Sequence, residues 1–330
     1  MTPPPSPNSK GEIAYQGVRV AILGAAGFIG RWVARALCNQ GAQINLIVRD
    51  AATADPILSR YGVRGALFEI DLLKPGAVLT LYRKIRPVVT FNLAGYGVDR
   101  SERDEQMAYR INAHLVGQVC EAVASVRDTQ WQGQDLVHAG SALEYGTLSG
   151  DLDENSIPQP TTLYGQSKLA GTYALSDACK ATAIKGLTVR LFTVYGPGEN
   201  TGRLLPALIE TAASGAILPL TAGTQRRDFT FIEDAAEGLV RLGLAIADPG
   251  AVVNLATGKL TEVQEFVKIA AGILQIPDDR LRFGSLPTRP EEMEHSQVTV
   301  QRLRRLAGWV PGTTVAEGIR KTVEFERLLH

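Results

Sequence analysis

Apolar positions in this chain fall into short continuous runs separated by longer amphipathic stretches. VRVAILG (18–24), INLIV (44–48), ALFEI (66–70), VVTFNLA (88–94), DLVHAG (135–140) and GLTVRLF (186–192) show no alternation, the texture of strands buried on both faces. Between them, apolar residues recur at three- and four-residue spacing. FIGRWVARALCNQG (28–41), ERDEQMAYRINAHLVGQVCEAVASV (102–126) and TLYGQSKLAGTYALSDACKA (162–181) read as helices, the first stopping on a glycine. Strands and helices alternating in this way predict an α/β fold with a doubly wound parallel sheet.

The texture changes after Phe192. VYGPGENTGRLLP is loop-rich, and ILPLTAGTQRRDFTFIEDA holds short β-like pieces. VVNLAT (252–257) reads as a strand returning to the sheet, and helices and loops follow. These shifts predict a larger domain over 17–192 with roughly 235–257, and a smaller α/β substrate lobe over 193–234 and 258–330. Residues 1–16 are polar and proline-rich, expected to be a leader outside the fold.

Composition narrows the class without choosing a function. Apolar residues are 45% and charged residues 21%, with a formal net charge of zero. That balance points away from nucleic acid or a membrane surface as the main partner. No apolar run approaches the roughly 18 residues of a membrane span. Cys38, Cys120 and Cys179 have no metal or redox spacing, as in a reduced, cytoplasmic protein. His114, His138, His295 and His330 are scattered, so no metal site is expected.

The first strand runs directly into GAAGFIG, with Gly24, Gly27 and Gly30. Such a pattern carries weight when it follows a strand and opens a helix, where it predicts a dinucleotide site. Gly24 allows the tight turn, Gly27 lets backbone approach a pyrophosphate, and Gly30 lets helix and strand pack closely. Ala26, Phe28 and Ile29 lie along the same turn, whose free N–H groups face the phosphates. INLIVRD ends the second strand with Arg49 and then Asp50. An acid about 20 residues past the glycines holds the ribose of NAD, and an arginine there accommodates the extra phosphate of NADP. Arg49 comes first, so NADP(H) is favoured; a shift of one residue would make Asp50 the ribose acid and NAD(H) the cofactor. Asp71 and Leu72 follow the third strand, where an acid can meet the adenine edge. Leu93, Ala94 and Gly95 end the fourth, in a stretch of small residues suited to backbone lying along a cofactor.

TLYGQSKLAG holds Tyr164 and Lys168, one turn apart on one helix face. A phenol with a pKa of about 10 is a poor acid-base group at neutral pH. A nearby ammonium and a cationic nicotinamide are expected to lower it. Ser141, at the end of another strand, can hydrogen-bond the reacting oxygen. The three fit hydride transfer at a carbinol or carbonyl carbon.

GAAGFIG, NLAG, Ser141, YGQSK and RLFTVYGPG together resemble the extended short-chain dehydrogenase/reductase family. Within it they resemble the nucleotide-sugar epimerases, dehydratases and ketoreductases, over residues 18 to about 328. The resemblance implies a Rossmann domain with a C-terminal substrate lobe. It implies Ser141, Tyr164 and Lys168 as the catalytic triad, Lys168 on the nicotinamide ribose, and Asn112 steadying the region. It implies diphosphate contacts for Arg227 in QRRDFTFIED and Arg289 in TRPEEME, where an arginine fork suits phosphate oxygens. Two positions depart from the family pattern: Thr193 replaces its asparagine and Glu291 its glycine. Tyr96 and Val98 are expected to border the sugar pocket, and the helices at 102–126 and 162–181 to pair in a homodimer.

HAGSALEYG (138–146) discriminates among reactions. The 4,6-dehydratases of this family carry acid-base residues in the two positions after the serine or threonine. Here these are Ala142 and Leu143, which move no proton and leave Ala142, with Ser141, to line the substrate pocket. Glu144 falls one place late, so on a strand-like backbone its side chain is expected to point elsewhere, in a structural or pocket-lining role. The expected reaction is NADPH-dependent reduction of the 4-keto group of a nucleoside-diphosphate 4-keto-6-deoxy sugar, with Tyr164 as general acid. The alternatives are a nucleotide-sugar C4 epimerase, a small-ketone reductase and a non-catalytic NADP-sensing protein.

Overall fold

The continuous apolar runs become parallel strands because helices cover both of their faces. The computed structural model describes residues 14–98, 101–146, 148, 150–287 and 295–328. In it β1 (Arg19–Leu23), β2 (Gln43–Val48), β3 (Ala66–Glu69), β4 (Val89–Asn92), β5 (Leu136–Ser141), β6 (Gly186–Leu191) and β7 (Ala251–Leu255) form one sheet. Its order is β7-β6-β5-β4-β1-β2-β3, and every pair is parallel. The helices are α1 (Phe28–Asn39), α2 (Ala51–Arg60), α3 (Ala77–Ile85), α4 (Glu105–Tyr109), α5 (Leu115–Val126), α6 (Leu163–Ala181), α7 (Leu204–Ser214) and α8 (Ile232–Leu244), with three more after residue 262. Leu81, Val119 and Leu175 of α3, α5 and α6 pack into one core with Leu23 and Leu136. Trp32, Leu58 and Leu239 of α1, α2 and α8 pack into the other, with Ile22 and Val137. Alternate residues of one strand thus feed opposite cores, which is the doubly wound Rossmann arrangement.

Beyond β6 the chain leaves this sheet. Thr193–Tyr195 pairs in parallel with Arg226–Phe231, which pairs antiparallel with Leu260–Glu262. Between those strands β7 returns beside β6, as the VVNLAT pattern predicts. No helix among the described residues is long and apolar enough to cross a membrane.

Two expectations need correction. The helix read over 102–126 begins at Glu105 and is broken by a π-turn, Arg110–His114, between α4 and α5. The leader assigned to 1–16 also ends too late. Tyr15 is fully buried, donates its hydroxyl to Val240 O at 2.9 Å, and lies against Phe91 and Trp131. A single aromatic flanked by polar residues gives no periodicity, so the pattern hides a tertiary anchor.

Tyr15→Ala is expected to lower the unfolding free energy by about 3–5 kcal/mol, read from urea melts. A loss below about 1 kcal/mol would show the anchor to be dispensable.

Candidate active site

The turn after β1 is built around absent side chains. Gly24 has φ +73°, and a Cβ there would lie 2.9 Å from Leu93 O and Ala94 N. A methyl at Gly30 would collide with Gly24 O, so helix and strand meet only through glycine. Gly27 is the N-cap residue of α1; it offers no side-chain cap, and no acid stands in the first turn. A Cβ on Gly27 would meet only Gly24 O, at 3.1 Å. Ala26, Phe28 and Ile29 turn partly into the core, as does Leu93 after β4. Uncapped N–H groups, a positive helix end and open backbone fit a pyrophosphate. The turn also lies between β1 and β4, where strand order reverses and such folds bind their ligands.

The π-turn supplies the next support. Buried Asn112, inside it, accepts Tyr96 N at 3.0 Å and donates to Tyr96 O at 2.8 Å and Ser167 Oγ at 2.9 Å. Ser167 Oγ in turn donates to Tyr164 O at 3.0 Å. One amide thus ties the loop after β4 to the first turns of α6. Gly171 lets α6 approach this closely, since a Cβ there would strike Asn112 O. Widened turns of this kind recur at functional sites.

β5 ends at Ser141, which caps a short 3₁₀ turn, Ala142–Glu144. Ser141 Oγ accepts Leu143 N at 3.1 Å, leaving its own O–H free to donate. The backbone is therefore not strand-like at Glu144. The turn folds that carboxylate back, and Glu144 Oε1 accepts Ser141 N at 2.8 Å in a capping box. Its Oε2 accepts Thr172 Oγ1 and Arg190 Nε, each at 3.0 Å. Tyr145, also fully buried, donates to Asn254 Oδ1 at 2.7 Å.

Tyr164 sits in the first turn of α6, against Gly97, and Lys168 is buried one turn later. Burial sets the electrostatics of both in the protein alone. The Tyr164 phenol is pushed up to about 12, by burial first and then by the Glu144 charge; Arg203 pulls it down and Glu102 raises it. Burial brings the Lys168 ammonium itself down to about 8, with Glu144 opposing that fall. The protein's own groups therefore leave Tyr164 protonated at neutral pH, in the state of a proton donor.

The remaining predicted residues divide by position. Asp50 is the N-cap of α2: Oδ1 accepts Thr53 N and Oδ2 accepts Thr53 Oγ1, while the adjacent Arg49 is exposed. Exposed Asp71 closes its own turn by accepting Leu73 N at 2.9 Å, and Leu72 and Ala94 pack partly into the α3–α5 core. Gly95 and Val98 are exposed and Tyr96 is half-buried, all in the loop held by Asn112. Thr193 pairs with Phe229, two residues beyond Arg227 on the neighbouring strand. Ala142 is buried. Arg289 and Glu291 lie outside the described residues. Sequence reasoning missed Glu102, which accepts Gly97 N at 2.7 Å, and the Glu199–Arg203 pair, whose arginine acts on Tyr164. Burial pushes Glu199 up to about 7. Lone acids in loops carry no local signal of such placement.

A model of the NAD dependent epimerase/dehydratase family matches residues 20–256. The dTDP-6-deoxy-L-talose 4-dehydrogenase (NAD(P)(+)) of Kitasatospora kifunensis is 31% identical, over 92% of this chain and 94% of its own length. The UDP-glucose 4-epimerase of Mycolicibacterium smegmatis is 28% identical, over 94% and 99%. Among solved structures, MoeE5 in complex with UDP-glucose and NAD superposes with a TM-score of 0.79 at 26% identity, covering 94% of this chain and 99% of that one.

Lys168 links the site to stability. Below about pH 8 its amine is charged folded and unfolded, so burial opposes folding in full; above its ordinary 10.5 it is neutral in both. The stability it permits therefore rises with pH between those values. At pH 7, Lys168→Met is expected to be more stable than the parent chain by about 2–3 kcal/mol. That advantage should vanish near pH 10.5 in urea melts; an advantage that stays constant with pH would refute the buried-charge account.

Proposed function

The chain belongs to the NAD dependent epimerase/dehydratase family, and on that premise we propose that it reduces the 4-keto group of a nucleoside-diphosphate 4-keto-6-deoxy sugar with NADP(H). The observation that carries this reading is the turn after Ser141. Ala142 and Leu143 have no acid-base chemistry, and Glu144 is buried and bonded to Ser141, Thr172 and Arg190. Tyr164, protonated at neutral pH, remains as the proton donor. One donor suits carbonyl reduction and leaves dehydration without its usual pair of groups. The relative at 31% identity supports the choice, because a 4-dehydrogenase acting on a 6-deoxy sugar is this reduction run backwards.

The residues divide the work. The α1 N-terminus and the glycine turn hold the pyrophosphate, with Leu93 to Gly95 along the dinucleotide. Arg49 meets the 2′-phosphate, since both Asp50 oxygens already bond Thr53. Lys168 holds the nicotinamide ribose. When bound, the nicotinamide supplies the hydride that forms the new C–H bond at C4. Tyr164 gives its phenolic proton to O4 as the carbonyl π bond opens, and Ser141 O–H donates a hydrogen bond to the same oxygen. The phenolate left behind is neutralised by a proton from solvent. Arg227 holds the substrate diphosphate, the contact that the family resemblance also gives to Arg289, and Tyr96 and Val98 border the sugar. We further infer a homodimer paired through α5 and α6. C4 epimerisation is the second reading, supported by the 28% relative.

Incubation with dTDP-4-keto-6-deoxyhexose and NADPH should consume the cofactor, followed by absorbance, and Tyr164→Phe should lose about 10²–10⁴ of that rate. No turnover there, with interconversion of an intact UDP-hexose instead, would replace the reductase by the epimerase. NADPH should bind more tightly than NADH, and Arg49→Ala should erase the difference; a native preference for NADH would transfer the ribose to Asp50.

A further inference from the structure

Glu144 bonds the Ser141 turn and its charge bears on both Tyr164 and Lys168. It follows Ser141 by one short turn and is fully buried. Gly140 leaves room for it, since a Cβ there would lie 2.6 Å from Glu144 Oε1. One carboxylate oxygen holds the backbone N–H of Ser141 at 2.8 Å. The other holds Thr172, one turn beyond Lys168 on α6, and Arg190 on β6, each at 3.0 Å. Three elements, the end of β5, the middle of α6 and β6, are thus pinned to one side chain. Arg190 is itself fixed, with its guanidinium 4.3 Å above the Tyr145 ring.

We propose that Glu144 is the positioning residue of this site, a buried carboxylate that fixes the Ser141 turn and acts as the shared counter-charge of Lys168 and Tyr164. The proposal rests on the reading of Tyr164 as the proton donor. A negative charge near an amine and a phenol favours the proton on each. It keeps Lys168 an ammonium despite burial and keeps Tyr164 a phenol. The site is thereby biased toward the protonation state that reduces a carbonyl. Other charges bear on the pair: Glu102 and Arg203 face Tyr164, His138 adjoins Lys168, and Arg190 with Tyr145 faces Glu144.

Charge and position separate in Glu144→Gln, which keeps the shape and removes the charge. A merely structural Glu144 would cost stability and rate equally at every pH. A counter-charge moves the titrations instead. Lys168 Nζ can be followed by ¹⁵N-lysine NMR in the cofactor-free chain, its signal assigned by its loss in Lys168→Met. In Glu144→Gln its midpoint should fall by about one unit or more below that of the parent chain. The alkaline limb of the kcat/KM profile for ketoreduction should move to lower pH in parallel. An unchanged Lys168 midpoint would overturn the proposal. Should the single variant fail to fold around an unpaired Arg190, the comparison is made in an Arg190→Met background: adding Glu144→Gln there should lower the Lys168 midpoint by about one unit or more relative to Arg190→Met alone, and an unchanged midpoint overturns the proposal equally. A lowered midpoint in a chain that turns over no 4-keto sugar upholds the counter-charge and sinks only the choice of reaction.

Discussion

Seven strands that all run in one direction must end on one edge of their sheet. The C-terminal ends of β1, β4 and β5 therefore deliver Gly24, Leu93 to Gly95 and Ser141 to a common border. A helix returning from a parallel strand starts at that same border. Tyr164 in the first turn of α6 and Lys168 in the second are placed there by the same rule. Residues far apart in the chain converge without any contact having to pull them together. The order reversal between β1 and β4 lies on that same border, where such folds bind their ligands.

What remains is to make the convergence tight, and this is done by removing atoms. Gly24, Gly30, Gly140 and Gly171 each stand where a methyl would meet backbone or a carboxylate. The space so gained admits polar groups into the layer between sheet and helices. Glu144, Arg190, Lys168 and Asn112 are all buried there. Buried charge seldom stabilises a fold, because desolvation offsets most of the attraction. Here it is kept between the sheet and its helices, apart from the apolar residues that fill either core.

The fold was legible because burial on both faces leaves a one-dimensional trace: six continuous apolar runs, and the return of VVNLAT to the sheet. The glycine turn was legible for the same reason, since spacing and context act locally. The Tyr164–Lys168 pair was legible from helical periodicity. What escaped was set by tertiary geometry. The π-turn at 110–114 adds one residue per turn without changing composition. Glu144 looked misplaced because an extended backbone was assumed where the chain forms a 3₁₀ turn. The Tyr164 phenol is raised by burial, then by Glu144 and Glu102 against the pull of Arg203, and none of these charges is a sequence neighbour of it. Tyr15 left no trace at all, because its partners are Phe91, Trp131 and Val240.

That last contact has a bearing on synthesis. Tyr15 precedes β1, yet its hydroxyl bonds a carbonyl 225 positions later, on α8. Domains tend to fold from the N-terminus as they emerge from the ribosome. Here the ring partners Phe91 and Trp131 precede β6, while the hydroxyl acceptor on α8 follows it. The Tyr15 hydroxyl must therefore wait for its partner until α8 closes over the sheet. The anchor thus joins the segment before β1 to α8, so its hydrogen bond closes only in a chain that extends through Val240.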